Sequence, residues 1–594
     1  QSGGVIVSDQ NNNKIKESKY YYDNLTLGNI SLGNQTKEEN WKGDTNYIDT
    51  QKTYNSYGLV VQSKDPNGNV TNSVYDSYNL YPVAVTNALG QTTRFVYNYA
   101  NSKPIQTTDA NGNIFKNTFD GLGRILKTEQ PDQNDSAPLA AKTIYAYADM
   151  PGNVNVQQTD YLNSSSAVVS YSYYDGLGRI IQTKKSAENN NFETKDFIYD
   201  SRGNLQKESL PYFSYGPSKS SLISINQLYA IYAFDALNRK ISIANATGVT
   251  SYDYKNWQTT ITDANGNKKD FIYDVYNNLI AVNEYNAGNV YTTSYSYNAR
   301  GDLVKITDAL GNVRNFSYDA LSRKLSADDW NYNYDSAGNL ISLTDPKNQT
   351  INYAYDALNR KTSEDYAGAT GVEITFAYDN CINGKGLLCD IISAEETEKY
   401  EYSALGSITK NTKTIDAKDY ITLYSFDRQG NQILITNPDG SQIKYDYNSA
   451  GLIEKIWGVV NNFDYSPTEQ IAVISYAGGT ETTNTYDSNQ LYRLTKKLSV
   501  ANGANLQDIS YQYDNVGNII QTIDNSATDA RKTVAYTYDN LYRLISASAS
   551  NTANKQDYTQ SFTYDALGNI LTQTKNSQTT TYNYEGANPD AVTQ

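Results

Sequence analysis

The sequence YDALNR occupies residues 355–360, and near-copies of it recur along a chain of 594 residues. Related stretches read FDALNR at 234–239, YDALSR at 318–323, YDGLGR at 174–179 and FDGLGR at 119–124. Through the middle of the chain the pair of an aromatic residue and aspartate returns about every 21 residues, and a fixed period of this size is typical of repeat proteins. Because each short repeat packs mainly on its neighbours, the pattern predicts one continuous array.

Each repeat predicts two short antiparallel strands. Tyr295 and Tyr297 would present both rings on one face of a strand, because side chains alternate from face to face. Asp308 then opens a turn, where its side chain can accept hydrogen bonds from backbone N–H groups, and Gly311 supplies the positive φ that such hairpin loops need. The fold class that follows is all-β, with tandem β-hairpins.

The number of strands also constrains the shape. About 25 repeats of two strands, spaced ~4.8 Å apart, would make a ribbon roughly 240 Å long. A compact globule of this chain length has a radius of gyration of only ~25 Å. Since neighbouring strands twist with a fixed hand, we expect one spiralling antiparallel sheet that coils into a hollow shell, and this segment alone need not complete it.

Composition excludes several classes of function. The formal net charge is −15 and the isoelectric point is about 4.7, which argues against a nucleic-acid partner. No apolar run approaches the length of a membrane span. The chain has no histidine, so Ser-His-Asp and Cys-His catalysis and the usual zinc sites are excluded. We therefore expect no catalytic residues, no metal and no cofactor. The 56 tyrosines, each with an apolar ring and a polar tip, suit a half-exposed sheet.

The recurring patterns Y-x-Y-D-x-x-G-[NR]-L and T-D-x-x-G-N resemble the YD-repeat or Rhs family, which includes bacterial Rhs toxins, Tc-toxin B and C components and teneurins. The stretch YDNCINGKGLLC at 378–389 resembles a cysteine-containing segment of Rhs repeats, and NPDAVTQ at 588–594 resembles the family's P-H-A-V-T segment, with Asp590 in place of histidine. The likeness divides the chain into residues 1–50, a less regular segment joined to the shell, and residues 51–594, the shell itself. It implies a β-cocoon that encloses a toxic C-terminal domain or other cargo.

The sequence also departs from that family. The family's shell usually ends in a self-cleaving segment rich in D-P-x-G, and the only such tetrapeptide here, at residues 65–68, lies in an ordinary repeat turn. We therefore expect a shell truncated before the self-cleavage segment and the cargo, with no protease of its own.

The leading hypothesis is a non-catalytic encapsulating shell of a secreted or surface-displayed bacterial toxin, whose partner is its own or an associated C-terminal toxin polypeptide. The alternative is a cell-surface adhesion module, in which exposed tyrosine and asparagine bind a glycan or a protein. A third hypothesis is an enzyme with its site on the irregular insertion at residues 130–159.

Two further motifs have local explanations. Cys381 and Cys389 are predicted to form a hairpin disulfide, which would indicate an oxidising compartment, and the alternative is two free thiols. The sequence DANGN at residues 109–113 and 263–267 resembles the opening of a calcium loop, but the later bidentate acid is missing. A hairpin turn explains the same residues.

The arginine of each repeated phrase is predicted to contact an aspartate or a tyrosine of a neighbouring repeat, by an ion pair or by stacking on the ring. The alternative is a solvated turn charge that contributes almost nothing to stability. The predicted ladder consists of five aromatic–Asp–Arg sets: Tyr174, Asp175 and Arg179; Phe234, Asp235 and Arg239; Tyr318, Asp319 and Arg323; Tyr355, Asp356 and Arg360; and Tyr538, Asp539 and Arg543.

Overall fold

The computed structural model describes residues 3–8, 12–43, 45–132, 139–223, 228–368, 370–526, 532–551, 557–584, 586 and 591–593. In these residues the chain forms 51 β-strands and no α-helix. Two 3₁₀ turns, Glu188–Asn190 and Ser488–Gln490, are its helical elements. Each strand pairs antiparallel with its neighbours. The predicted all-β antiparallel fold is therefore confirmed.

The strands of the first half are β1 (Gly4–Ser8), β2 (Lys14–Tyr22), β3 (Gln35–Gly43), β4 (Asn46–Tyr54), β5 (Val60–Lys64), β6 (Val70–Tyr75), β7 (Pro82–Thr86), β8 (Thr92–Asn98), β9 (Lys103–Thr108), β10 (Ile114–Phe119), β11 (Ile125–Gln130), β12 (Ala140–Met150), β13 (Asn153–Tyr161), β14 (Ala167–Tyr174), β15 (Ile180–Ser186), β16 (Asn191–Tyr199), β17 (Leu205–Ser209), β18 (Tyr212–Tyr215), β19 (Tyr229–Phe234), β20 (Lys240–Asn245), β21 (Gly248–Lys255), β22 (Gln258–Thr262), β23 (Lys268–Tyr273), β24 (Leu279–Asn286) and β25 (Asn289–Tyr297).

Those of the second half are β26 (Leu303–Thr307), β27 (Val313–Tyr318), β28 (Lys324–Ala327), β29 (Trp330–Tyr334), β30 (Leu340–Thr344), β31 (Thr350–Tyr355), β32 (Lys361–Tyr366), β33 (Ile374–Tyr378), β34 (Leu388–Ile392), β35 (Glu396–Tyr402), β36 (Ile408–Ile415), β37 (Lys418–Phe426), β38 (Gln432–Thr436), β39 (Gln442–Tyr447), β40 (Ile453–Ile456), β41 (Val460–Tyr465), β42 (Ile471–Tyr476), β43 (Thr480–Asp487), β44 (Arg493–Ala501), β45 (Ala504–Tyr513), β46 (Ile519–Asp524), β47 (Lys532–Tyr538), β48 (Leu544–Asn551), β49 (Tyr558–Tyr564), β50 (Ile570–Lys575) and β51 (Gln578–Thr581).

The two faces of the sheet differ in side-chain size. In β31, Tyr353 and Tyr355 are half-buried, whereas Asn352 and Ala354 on the opposite face are exposed. The register shifts at Tyr355, where a bulge precedes the turn. The fourth turn residue, Asn359, has φ of 61°, the left-handed conformation that asparagine and glycine tolerate best. Alternation and turn chemistry therefore follow the sequence closely.

One region interrupts the simple order of strands. The first half of β16 pairs with β18 and its second half pairs with β17, so these two short strands lie end to end along it. Strand β19 then pairs with β17. The strands β17 and β18 thus occupy a single position in the sheet. Nothing in the repeat pattern predicts this arrangement.

Turns from distant parts of the chain meet along a line that we call the seam. Asn67 Nδ2 donates a hydrogen bond to the Asp335 carboxylate at 2.8 Å, and Asn265 Nδ2 donates to Asp514 at 2.9 Å. Other residue pairs that join the same line are Asn111 and Lys385, Gln130 and Arg428, Ala187 and Ser449, and Asn286 and Asp539. The sheet therefore coils, and successive coils touch through their turns.

The spacing of these contacts shows how the coil is built. Asn67 follows β5 and Asp335 follows β29, whereas Asn265 follows β22 and Asp514 follows β45. With β17 and β18 counted as one position, both pairs are 23 strand positions apart. Successive turns alternate between the two edges of the sheet, so an odd separation places the two turns on opposite edges. The lower edge of one coil therefore meets the upper edge of the next.

This repeat fixes the dimensions of the spiral. At about 4.8 Å per strand, a coil of 23 positions has a perimeter of about 110 Å, which corresponds to a ring about 35 Å across. The described strands therefore complete about two coils. Among them, β1 pairs only with β2 and β51 only with β50, so the sheet is not closed.

The most deeply buried cluster is polar and lies on β15 and β16, beneath residues 210–223. The Lys184 ammonium donates to the backbone carbonyls of Gly216 at 2.9 Å and Ser218 at 2.7 Å. Beside it, Gln182 donates to the fully buried Asp196 at 2.7 Å. Burial lowers the pKa of Lys184. Because every donor here has an acceptor, a polar interior is tolerated where aliphatic side chains are scarce.

Candidate functional site

The aspartate of each repeat caps its own turn. In the phrase at 234–239, Asp235 Oδ1 accepts hydrogen bonds from the backbone N–H groups of Leu237 and Arg239 at 2.8 and 2.9 Å. Its other oxygen accepts from Arg239 Nε at 2.7 Å. The same Asp–Arg contact, at 2.7 to 2.8 Å, joins Asp175 to Arg179, Asp319 to Arg323, Asp356 to Arg360 and Asp539 to Arg543.

Other repeats carry asparagine where these carry arginine. Asn204 Nδ2 donates to Asp200 Oδ2 at 3.0 Å, and Asn569 Nδ2 donates to Asp565 Oδ2 at 2.8 Å. The fourth residue after aspartate thus always offers a donor to the second carboxylate oxygen in these turns. Arginine differs because its guanidinium extends further, to the next repeat.

The guanidinium of each ladder arginine lies over a tyrosine ring of the next repeat. Arg239 lies 4.5 Å from the ring centre of Tyr254, and Arg360 lies 4.3 Å from that of Tyr378. The equivalent rings are Tyr199 for Arg179 at 4.5 Å, Tyr334 for Arg323 at 5.1 Å and Tyr564 for Arg543 at 4.8 Å. Each arginine therefore contacts both its own aspartate and a neighbouring ring.

The tyrosine hydroxyl completes the contact between repeats. Tyr378 Oη donates to the backbone carbonyl of Lys361 at 2.8 Å, and Tyr254 Oη donates to that of Lys240 at 2.9 Å. The acceptor is in each case the residue directly after the ladder arginine. We call the set of aspartate, arginine and next tyrosine the repeat clamp. This hydrogen bond was not predicted from the sequence. A half-buried tyrosine hydroxyl usually finds a partner, and without a side-chain acceptor a backbone carbonyl was the one to expect.

Tyrosines of the predicted ladder make the same hydroxyl contact with the preceding turn where that turn carries asparagine instead of arginine. Tyr355 Oη donates to the carbonyl of Leu340 and Tyr538 Oη to that of Ile519, both at 2.8 Å. Phe234 fills the ring position without a hydroxyl. Tyr174 and Tyr318 are half-buried at the bulge before their turns.

The clamp at Arg360 has a second, half-buried carboxylate. Arg360 also donates to both oxygens of Asp379, at 3.0 and 2.6 Å. The pKa of Asp379 is lowered, chiefly by the hydrogen bond from Arg360, although burial opposes this. Burial raises the pKa of Tyr378. At neutral pH the clamp therefore holds one cation between two carboxylates beside a neutral phenol.

A disulfide joins Cys381, in the enlarged turn after β33, to Cys389 in β34. The enclosed loop contacts the neighbouring coil, where Lys385 N–H donates to Asn111 Oδ1 at 2.9 Å. A Cβ atom at Gly384 would collide with both sulfur atoms, so only glycine fits beside them. The disulfide therefore closes a loop that lies on the seam.

The two candidate calcium loops are also part of the seam. Asn111 of the first loop contacts Lys385, and in the second loop Asp263 accepts a hydrogen bond from the Tyr542 hydroxyl. Asp109 caps its own turn through the backbone N–H of Asn113. In the described residues no group of three or more potential ligands could hold a metal ion. Positions 133–138 of the insertion and positions 588–590 and 594 of the terminal motif lie outside the described residues.

Among the described residues, no coil lies against the opposite edge of the first coil, which we call the free rim. Six of its turns carry an apolar or aromatic residue at the third position that is 70% to 83% exposed: Tyr57, Tyr78, Leu122, Leu177, Leu237 and Tyr276. The equivalent residues of the second coil, which face the seam, are half-buried: Leu321, Leu358, Leu405 and Leu541. Coil contact therefore covers the same turn position in one coil and leaves it open in the other.

Comparison with known proteins agrees with this geometry. The RHS Repeat family matches residues 297–333 and 334–370. Toxin subunit YenC2 of Yersinia entomophaga is 27% identical over 28% of this chain and 21% of its own length. The tRNA(Glu)-specific nuclease WapA of Bacillus subtilis subsp. natto is 31% identical over 24% of this chain and 5% of its own length.

Two solved structures share the fold over nearly the whole chain. The crystal structure of TcdB2-TccC3 superimposes with a TM-score of 0.85 at 16% identity, covering 96% of this chain and 38% of that one. A structure of the Photorhabdus luminescens Tc holotoxin pore gives 0.84 at 15% identity, with coverages of 97% and 40%. The chain thus corresponds to less than half of these proteins.

Repeat clamps within each coil and a seam between coils define a spiralling antiparallel sheet with the shell fold of TcdB2-TccC3. Residues 297–370 match the RHS Repeat family, and part of the chain is similar in sequence to a Tc toxin subunit. No helix in the described residues has the length and apolarity needed to cross a membrane.

Proposed function

We propose that this chain is a non-catalytic part of the wall of a hollow shell that sequesters a toxin polypeptide, in a protein that is secreted or displayed at the cell surface. The observation that carries the proposal is the coil itself. A ring about 35 Å across, with a wall about 10 Å thick, leaves a lumen about 25 Å wide. The shared fold with TcdB2-TccC3 and the relation to toxin subunits support the same role.

The width of the lumen limits what it can hold. A helix is about 10–12 Å in diameter and fits, as does an extended chain. A folded domain of about 100 residues has a radius of gyration of about 13 Å and is too wide for this lumen. The cargo would therefore be held unfolded or partly helical.

The free rim supports a wall that extends beyond these two coils. A row of apolar residues such as Leu122, Leu177 and Leu237 is costly to leave in water. The seam shows what covers the same turn position elsewhere in this chain, namely the turns of another coil. A further coil of repeats would bury the rim in the same way.

Protease protection tests the proposal. An unstructured foreign polypeptide is fused after Gln594, and the fusion is treated with a nonspecific protease. Sequestration predicts that the polypeptide is cut more slowly than the same polypeptide added in trans. Equal cleavage rates with an intact β-sheet would overturn the proposal. Binding of a glycan or surface protein without protection would favour an adhesion module.

A further inference from the structure

The seam contains a cavity of about 320 Å³ between residues 186–193 of the first coil and residues 448–469 of the second. The two sides are held together at the mouth of the cavity. Ser449 Oγ donates a hydrogen bond to the Ala187 carbonyl at 2.9 Å, and Asn448 Nδ2 donates to Glu188 Oε1 at 2.9 Å. A change in charge among the residues that line the cavity would therefore affect the contact between the two coils.

Two pairs of carboxyl groups face each other across this cavity. All four residues line the cavity, and their carboxyl groups interact in two pairs, Glu188 with Asp464 and Glu193 with Glu469. Burial raises the pKa of both Glu188 and Glu193, and the opposite carboxyl group raises each further. Two carboxylates this close repel when both are ionised and attract when one carries a proton.

Other charged groups reach the cavity from the strands around it. Glu454 on β40 adds to the negative potential at Glu188, whereas Asn448 partly opposes it by donating a hydrogen bond. Lys185 on β15 and Lys195 on β16 favour the ionised form of Glu193.

Lys185 forms an ion pair with Glu469, itself one of the four cavity acids, and Lys195 forms one with Glu208. The Tyr465 phenol also faces the cavity, and burial raises its pKa to about 12, so it stays neutral. Acids therefore exceed unpaired cations at this part of the seam.

We propose that the pairs Glu188–Asp464 and Glu193–Glu469 form a proton-dependent latch between the coils. When the latch is closed, each pair shares a proton and its two carboxyl groups hydrogen-bond across the cavity. Loss of those protons leaves four carboxylates facing one another and separates residues 186–193 from residues 448–469. The shell wall would then loosen at this point while the repeat clamps within each coil stay intact.

The direction of the pH dependence follows from the raised pKa values. A carboxyl group whose pKa is higher in the closed seam than in the open one binds more protons when closed. The stabilisation is therefore fully present below the ordinary glutamate value of 4.5 and is lost as pH rises through the higher value of the closed seam. Acid closes the latch and neutral or alkaline conditions open it.

Hydrogen exchange of the whole chain between pH 5 and pH 8, corrected for intrinsic rates, measures this opening. We expect the opening constant of amides in residues 186–193 and 460–470 to rise by up to about tenfold per pH unit for each proton released. The contact of Asn111 with Lys385 on the same seam, where two uncharged groups meet, is the internal control and should not respond.

A variant with Glu188→Gln and Glu193→Gln separates titration from general weakening. Glutamine cannot ionise but can donate to the opposite carboxylate, so the pH response should disappear while the seam stays closed at pH 8. If this double variant does not fold, the single variant Asp464→Asn tests the first pair. The latch and the Asn111–Lys385 control contact can in any case be compared within the wild-type chain. A flat wild-type profile, an equal response at the control contact, or a response that persists in the variant would overturn the latch.

Discussion

The phrases at residues 234–239 and 355–360 differ only in their first residue, but their surroundings differ. Leu237 lies on the free rim and is 73% exposed, whereas Leu358 faces the seam and is half-buried. Arg239 binds its own aspartate and the ring of Tyr254, and Arg360 has in addition the carboxylate of Asp379. We therefore expect identical turn chemistry to give different local stability, because the seam covers Leu358 and the next repeat supplies a second carboxylate to Arg360.

The largest expected effect comes from breaking the clamp at the seam. Arg360→Ala removes three charge-assisted hydrogen bonds and leaves Asp379 half-buried without its cation. We expect a loss of about 3 kcal/mol in the local free energy of opening around β31 to β34. Hydrogen exchange measures this locally, which suits a repeat array better than a single global unfolding transition.

The matched change is Arg239→Ala at the free rim. Arg239 is 46% exposed, and its ion pair is open to solvent, so the local protection around β19 to β21 should change much less. Equal losses at the two positions would mean that neither the second carboxylate of Arg360 nor its greater burial adds to the stability of the clamp.

The disulfide should have the next largest effect. Replacing Cys381 and Cys389 with serine removes the closure of a short loop, which should cost about 2.5 kcal/mol by the chain-entropy estimate. Protection should fall in residues 379–390 and in the turn at Asn111, which the loop contacts, and stay unchanged at residues 234–254. Two titratable thiols in the unfolded, unreduced protein would contradict the bond itself.

A smaller effect is expected from removing the tyrosine hydroxyl that donates to the backbone of the preceding repeat. Tyr355→Phe removes the hydrogen bond to the Leu340 carbonyl and should cost about 1 kcal/mol in the local free energy of opening. Phe234→Tyr introduces a hydroxyl into the same place in the first coil and should stabilise it or leave it unchanged. Hydrogen exchange of β30 to β32 and of β17 to β20 gives both values, and a stabilising Tyr355→Phe would refute the role of the hydroxyl.

The smallest effect concerns the third residue of the turn. Leu358→Ser should cost less than about 1 kcal/mol, since the side chain is only half-buried. Leu237→Ser should change stability by no more than about 0.5 kcal/mol and should lower the tendency of the protein to self-associate. Thermal unfolding and light scattering report the two effects, and a larger loss at Leu237 would show that the free rim is covered in solution.

Local features of the fold could be predicted from the sequence, because they depend on neighbouring residues. Alternating tyrosines, the capping role of Asp235 and the positive φ at Asn359 all follow from strand and turn chemistry. The need to coil followed from strand count alone. The contact of Arg239 with a neighbouring ring was also a sequence-based expectation, although the ring itself, Tyr254, could not be named.

Features that depend on the accumulated twist of many strands could not be predicted. The number of strands in a coil decides that Asn67 meets Asp335, and no local pattern contains that number. Because β17 and β18 share one position in the sheet, strands after them lie one position nearer to the first coil than their numbers indicate. The buried Lys184 is covered by a segment that does not belong to the repeat. The seam and the latch were missed for this reason.

The central claim is that turns about 23 strand positions apart meet along the seam. A zero-length carbodiimide cross-link in the unmodified chain at pH 5, where the latch is closed, tests it most directly. Lys185 and Glu469 form an ion pair across the seam although 284 residues separate them. We predict a Lys185–Glu469 isopeptide bond within single chains, formed as readily as the local Lys410–Glu401 bond, whose atoms lie 2.8 Å apart. A chain that forms the local bond but never the distant one, or forms the distant one only between isotopically distinct copies, would contradict the coil.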